Sequence, residues 1–102
     1  MSETAKPKLR ALRGEIDELN RQILDLLALR ARRVEKIAEL KDEMALAAHD
    51  PVREEAMLRH LVVDLPDPLT DQDVREIFHA IFRAGLRVHH RLEERRQAEL
   101  AR

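Results

Sequence analysis

Apolar residues recur at intervals of three and four along the first half of the chain. Leu9, Leu12, Ile16, Leu19, Ile23 and Leu26 lead to Arg30, and Val34, Ile37, Lys41 and Met44 continue the same series. That spacing puts them on one face of an α-helix, which turns once every 3.6 residues or so. No proline falls between Pro7 and Ala47, and Gly14 is the one weak helix former there, so a single helix is predicted from just after Pro7 to about Ala47. Some 35 to 40 residues at 1.5 Å each make a rod of about 55 Å, whereas a compact domain of about 100 residues has a radius of gyration near 13 Å. The rest of the chain cannot cover such a rod. Part of the stripe is therefore expected to be buried by a second copy, most simply in a two-fold dimer. A coiled coil is the plainer use of a stripe, yet this one carries Arg30 and Lys41 and lacks sustained e/g charge pairing.

A second helix is predicted to open at Asp50-Pro51, an N-cap acceptor followed by proline at the first helical position, with Glu54 and Glu55 in the first turn to suit the macrodipole. Its apolar face is Met57, Leu58, Leu61 and Val62. Leu65-Pro66-Asp67-Pro68 breaks the chain, and Thr70-Asp71-Gln72-Asp73 has the form of a capping box with Asp in place of Glu. A third helix follows from about Asp71, with the stripe Val74, Ile77, Phe78, Ile81, Phe82, Gly85, Val88 or His89, and Leu92, before a charged end from Arg91 to Arg102 expected to be solvated or frayed. The expected fold class is all-α, three helices per chain with one very long N-terminal helix, in an intertwined two-fold dimer. Residues 1–102 form one domain, with 1–7 and about 95–102 expected to be flexible.

Composition supports helices: 38% of the 102 residues are charged, with only two glycines and two aromatics, where a sheet would want alternating Val, Ile, Thr, Tyr and Phe. Nineteen Lys and Arg against twenty Asp and Glu leave a net charge of −1, so nothing in the balance calls for nucleic acid or an anionic membrane. Absence of Cys excludes a disulfide framework and thiolate catalysis. The segment Met1–Lys8 is not followed by a signal-type apolar stretch, and no run of about 18 apolar residues occurs, so a cytoplasmic location is expected.

Arg30 and Lys41 point where leucines belong. Burying an unpaired charge costs several kcal/mol, so each needs an anion, must snorkel to water, or must pair with a carboxylate of a neighbouring helix; a bound ligand is one source of the anion. They are eleven residues apart, hence about 20° apart in azimuth and roughly 16 Å along the axis, so their side chains can converge on a small molecule. Arg13 lies about 25 Å from Arg30 along the same helix and would join such a site only from the other subunit; otherwise it is a surface arginine beside Glu15 and Asp17. Asp50, Arg53 and Glu54 cluster at the start of the second helix, where capping alone can explain them. Gly85 and His89 are one turn apart on the apolar face of the third, where His89 can equally be a satisfied core residue. The histidines at 49, 60, 79, 89 and 90 have no metal-site spacing, and there is neither a phosphate-binding glycine loop nor a Gly-x-Ser-x-Gly elbow. No cofactor or metal is expected.

Taken in order, Leu12-Arg13-Gly14-Glu15-Ile16-Asp17, Leu26-Leu27-Ala28-Leu29-Arg30, Lys41, Asp50-Pro51-Val52-Arg53-Glu54-Glu55, Leu58 and Ile77-Phe78 resemble the all-helical class of chorismate mutases over about residues 8 to 92. The resemblance implies a domain-swapped dimer of three-helix chains that converts chorismate to prephenate in phenylalanine and tyrosine biosynthesis. It implies that Arg30 and the partner subunit's Arg13 grip the two carboxylates of chorismate, that Lys41 donates to the ether oxygen, and that Asp50 and Glu54 hold the ring hydroxyl with Arg53 beside them. Gly85 stands where the family often has Ser, and His89 where it often has Gln or Glu. Either ring nitrogen of His89 can donate to the ether oxygen when it bears the proton, and the cation more strongly, so turnover is expected to decline as pH rises through its titration. The same scaffold serves isochorismate pyruvate-lyase and mutases of 4-amino-4-deoxychorismate, and some members are weakly active dimers that dock on an aromatic-pathway enzyme. A purely structural helical dimer is the remaining alternative.

Overall fold

The computed structural model describes residues 2–102, with Met1, the first residue of the segment expected to be flexible, outside the described residues. Three helices follow in order: α1 (Ser2–Glu43), α2 (Pro51–Leu61) and α3 (Asp71–Leu100), with no strand among the described residues. None of them is long and apolar enough to cross a membrane. The chain divides at Arg30 into two units, and α1 contributes to both.

In the first unit, α1 begins at Ser2 rather than after Pro7, which lies inside the helix. Proline removes one backbone donor, and near an exposed helix start the carbonyl left without a partner can be hydrated, so the helix tolerates it there. Leu9, Leu12, Ile16, Leu19, Ile23 and Leu26 are each between 49% and 66% exposed. Full burial of such a side chain is worth about 1.5 to 3 kcal/mol, so the stripe holds a large unrealised driving force.

The second unit, Ala31–Arg102, holds the core: Ala38, Leu58, Val74 and Phe82 are buried, together with His89. Helices α2 and α3 pack together. Arg75 spans them, its Nε donating to Asp71 Oδ1 at 2.6 Å and its Nη1 lying 3.5 Å from Glu55 Oε1. Phe78 and Phe82 meet with ring centroids 6.1 Å apart. The local codes act as expected: Asp50 caps α2 with Pro51 at its start, and Thr70 with Asp73 forms a reciprocal capping box on α3. The backbone N–H and hydroxyl of Thr70 hold the Asp73 carboxyl below the usual aspartate range. Helix α3 runs on to Leu100.

Helix α1 stops at Glu43, four residues short of the predicted end. Leu46 N–H donates to the Lys41 carbonyl at 2.8 Å and Ala45 N–H to Asp42 at 3.2 Å, the paired bonds of a Schellman turn. Ala45 takes the left-handed conformation this turn requires, with φ 56°. A methyl there clashes with the next carbonyl, and glycine is the usual residue for that reason. No glycine marks the stop, so composition alone carries the helix too far. Ala45→Gly is expected to stabilise the protein by about 1 kcal/mol in urea unfolding at fixed protein concentration; a loss of similar size, as for glycine in a helix interior, would contradict this account of the turn.

Candidate active site

The turn that ends α1 positions the most telling cation. Lys41 is half-buried, and its Nζ donates to the Ala48 carbonyl at 3.1 Å while its own carbonyl accepts from Leu46. The loop from Met44 to Asp50 thus holds Lys41 at both ends. An ammonium has three donors, so one bond to Ala48 leaves two for a ligand.

The same loop delivers Asp50 to the start of α2. Its Oδ1 accepts the backbone N–H of Arg53 at 3.0 Å, and Glu54 Oε2 lies 3.5 Å from His49 Nε2. Carboxylates at a helix N-terminus face the positive end of the helix dipole, a favourable arrangement for Asp50 and Glu54. Arg53 is exposed and Glu54 half-buried. The structure therefore gathers Lys41, Asp50, Arg53 and Glu54 around a single connection.

On α3, Gly85 is half-buried and His89 is only 4% exposed. His89 Nε2 lies 2.9 Å from Glu93 Oε1, and the other oxygen of Glu93 is 3.6 Å from His90 Nδ1. His89 is thus a buried histidine whose ring is anchored by a carboxylate. Arg30 is half-buried and Arg13 exposed, both on the portion of α1 up to Arg30. Seventeen residues separate them, about 25 Å of helix, so one chain cannot bring both to one small molecule.

Several contacts were not legible in the linear pattern. Glu93 is one helical turn beyond His89, a spacing that could have named it as the histidine's partner. The Ala48 carbonyl carried no signal, because it depends on the turn at Ala45. The charged end of α3 is not merely solvated: Arg95 Nη2 meets Glu35 Oε2 at 2.8 Å and Arg96 Nη1 meets Asp42 Oδ2 at 3.5 Å, on the α1 turns either side of Lys41. Among the described residues, no group of three His, Asp or Glu side chains is placed to hold a metal ion.

A family model described as chorismate mutase type II matches residues 12–90. The bifunctional chorismate mutase/prephenate dehydratase of Stutzerimonas stutzeri is 32% identical over 84 residues, and that of Pseudomonas aeruginosa 31%. Both alignments take in 78% of this chain, which spans 23% of the length of each of those proteins. Among solved structures, chorismate mutase (Form II) from Thermus thermophilus superposes with a TM-score of 0.80 at 43% identity, covering 82% of this chain and 96% of that one. Form I from the same organism gives 0.74 at 44% identity, covering 76% and 98%.

The capping role of Asp50 can be measured directly. Asp50→Ala is expected to cost about 1 kcal/mol of stability, and Asp50→Asn, which still caps, only a few tenths, by thermal or urea unfolding. Equal losses would contradict the capping role.

Proposed function

Because the chain belongs to the chorismate mutase type II family, we propose that it catalyses the rearrangement of chorismate to prephenate, as a cytoplasmic homodimer serving phenylalanine and tyrosine biosynthesis. The observation that carries this reading is the extent of the family match, which runs through every candidate residue from Arg13 to His89.

The reaction is a unimolecular Claisen rearrangement. One carbon–oxygen bond breaks as one carbon–carbon bond forms, within a single molecule, with no nucleophile and no proton exchanged with the protein. What accelerates it is a compact conformer with its two ends held together, and positive charge where the ether oxygen becomes negative. A million-fold acceleration corresponds to about 8 kcal/mol, within the range of a few fixed cations in a site that excludes water.

In this reading Arg30 and Arg13 of the second copy grip the two carboxylates of the substrate, which fixes the conformer. Lys41 donates to the ether oxygen; its ammonium is already tethered to Ala48, so little reorganisation is needed as charge develops. His89 donates to the same oxygen. Asp50 has one oxygen committed to the cap and a second to offer the ring hydroxyl, with Glu54 and Arg53 beside it. Gly85 supplies no side-chain donor to the substrate. The exposed stripe from Leu9 to Leu26 supports the second copy that the Arg13 role requires.

Loss of chorismate absorbance, with the product identified by chromatography, tests the proposal. The purified protein is expected to form prephenate in preference to turning over isochorismate or 4-amino-4-deoxychorismate. Lys41→Ala is expected to lower kcat/KM by about a thousandfold or more while circular dichroism and dimer mass stay unchanged. Absence of prephenate would overturn the activity, and substantial turnover by Lys41→Ala would overturn the role of the lysine.

A further inference from the structure

Glu93 lies outside every motif that carried the family resemblance, yet it makes the one hydrogen bond to the His89 ring among the described residues. A carboxylate only accepts, so the Nε2 that faces it at 2.9 Å bears a proton. The other nitrogen, Nδ1, makes no hydrogen bond among the described residues. No fully buried side-chain nitrogen or oxygen among them lacks a partner, so Nδ1 keeps some access to the surface although the His89 side chain is only 5% exposed. It is the polar atom of His89 that a ligand can reach.

From this geometry we infer that Glu93 is a positioning residue which selects Nδ1 as the substrate-facing nitrogen and makes the rearrangement depend on the protonated form of His89. The inference rests on the proposed role of His89 at the ether oxygen. With the neutral ring, the proton stays on Nε2 toward Glu93 and Nδ1 presents a lone pair. An ether oxygen also presents lone pairs, so the two repel. Only the imidazolium, with a proton on each nitrogen, can keep the bond to Glu93 and donate to the substrate at once. The proton remains on His89 throughout, since the reaction transfers none.

Of the neighbouring charged and titratable groups, only His90 touches this pair among the contacts of the described residues. On α3, His90 shares the second oxygen of Glu93 at 3.6 Å. On α2, Glu54 is engaged with His49, and Glu55 with Arg59 and Arg75. On the last turns of α1, Lys41 is on the Ala48 carbonyl, and Glu35 and Asp42 hold Arg95 and Arg96. In the proposed site Arg30 and Lys41 are like charges to the imidazolium, and Glu93 is the counter-charge that offsets them.

Glu93→Gln separates this role from a merely structural one. A glutamine amide can donate to Nε2, which lets the neutral ring carry its proton on Nδ1 and donate to the substrate without becoming charged. The parent protein is expected to lose about tenfold or more in kcat between roughly pH 5.5 and pH 9, while Glu93→Gln stays within about twofold over the same range, with melting temperatures measured at each pH as control. Nitrogen-15 NMR of the imidazole is expected to show the Nε2–H tautomer for neutral His89 in the parent and Nδ1–H in the variant. A flat profile in an active parent, a profile that Glu93→Gln leaves unchanged, or an Nδ1–H tautomer in the parent overturns the inference. Absence of chorismate turnover at every pH overturns instead the activity on which it rests, and the NMR result still decides whether Glu93 sets the tautomer.

Discussion

Six Leu and Ile side chains on α1, from Leu9 to Leu26, stand about half exposed or more along one helical face. Water tolerates single exposed leucines but disfavours a continuous stripe of them, and the remedy is a matching surface. The remainder of the proposed design follows from that constraint. In the proposed dimer the second copy supplies its own Arg13 to the first copy's site, a placement that 25 Å or so of helix forbids within one chain. In that proposed dimer, burial of the stripe would also dry the surroundings of Arg30 at its end, and a dry site is where a cation acts most strongly on a substrate.

Within the second unit, fixed contacts supply preorganisation. The Schellman turn at Ala45 brings the chain back so that Ala48 receives Lys41, and the same loop ends in the Asp50 cap that starts α2. The ion pairs of Arg95 and Arg96 with Glu35 and Asp42 fasten α3 to the turns of α1 on either side of Lys41. Exposed pairs of this kind add little stability individually, so their value lies more in fixing position than in strength. A rearrangement without proton or electron transfer asks for such fixity: charges already in place when the ether oxygen turns negative.

Much of this was legible in the linear pattern because it is encoded locally. Asp50-Pro51 and Thr70 with Asp73 are cap signals whose partners lie three residues away, and α2 and α3 start where those signals say. The stripe of α1 and the cations on it follow from helical period alone. Contacts that depend on the path of the chain were hidden. Ala45 adopts a glycine-like conformation without being glycine, so the pattern carries α1 on to about Ala47. Pro7 read as a boundary, yet a helix can pass through proline near an exposed start. The partners of Arg95 and Arg96 are more than fifty residues away in sequence. Glu93 was within reach of a spacing argument but sat in a run of charges that reads as solvent-facing.

The central claim, that the working site is assembled from two chains, is tested most directly by mixing two crippled proteins. Arg13→Ala and Lys41→Ala dimers, each nearly inactive, are unfolded together and refolded, with different tags to quantify heterodimers. If Arg13 serves the site of the opposite chain, random pairing makes about half the dimers mixed and gives each of those one intact site, so about a quarter of the parent activity per subunit should return. Heterodimers that form in that proportion and remain inactive would contradict the account.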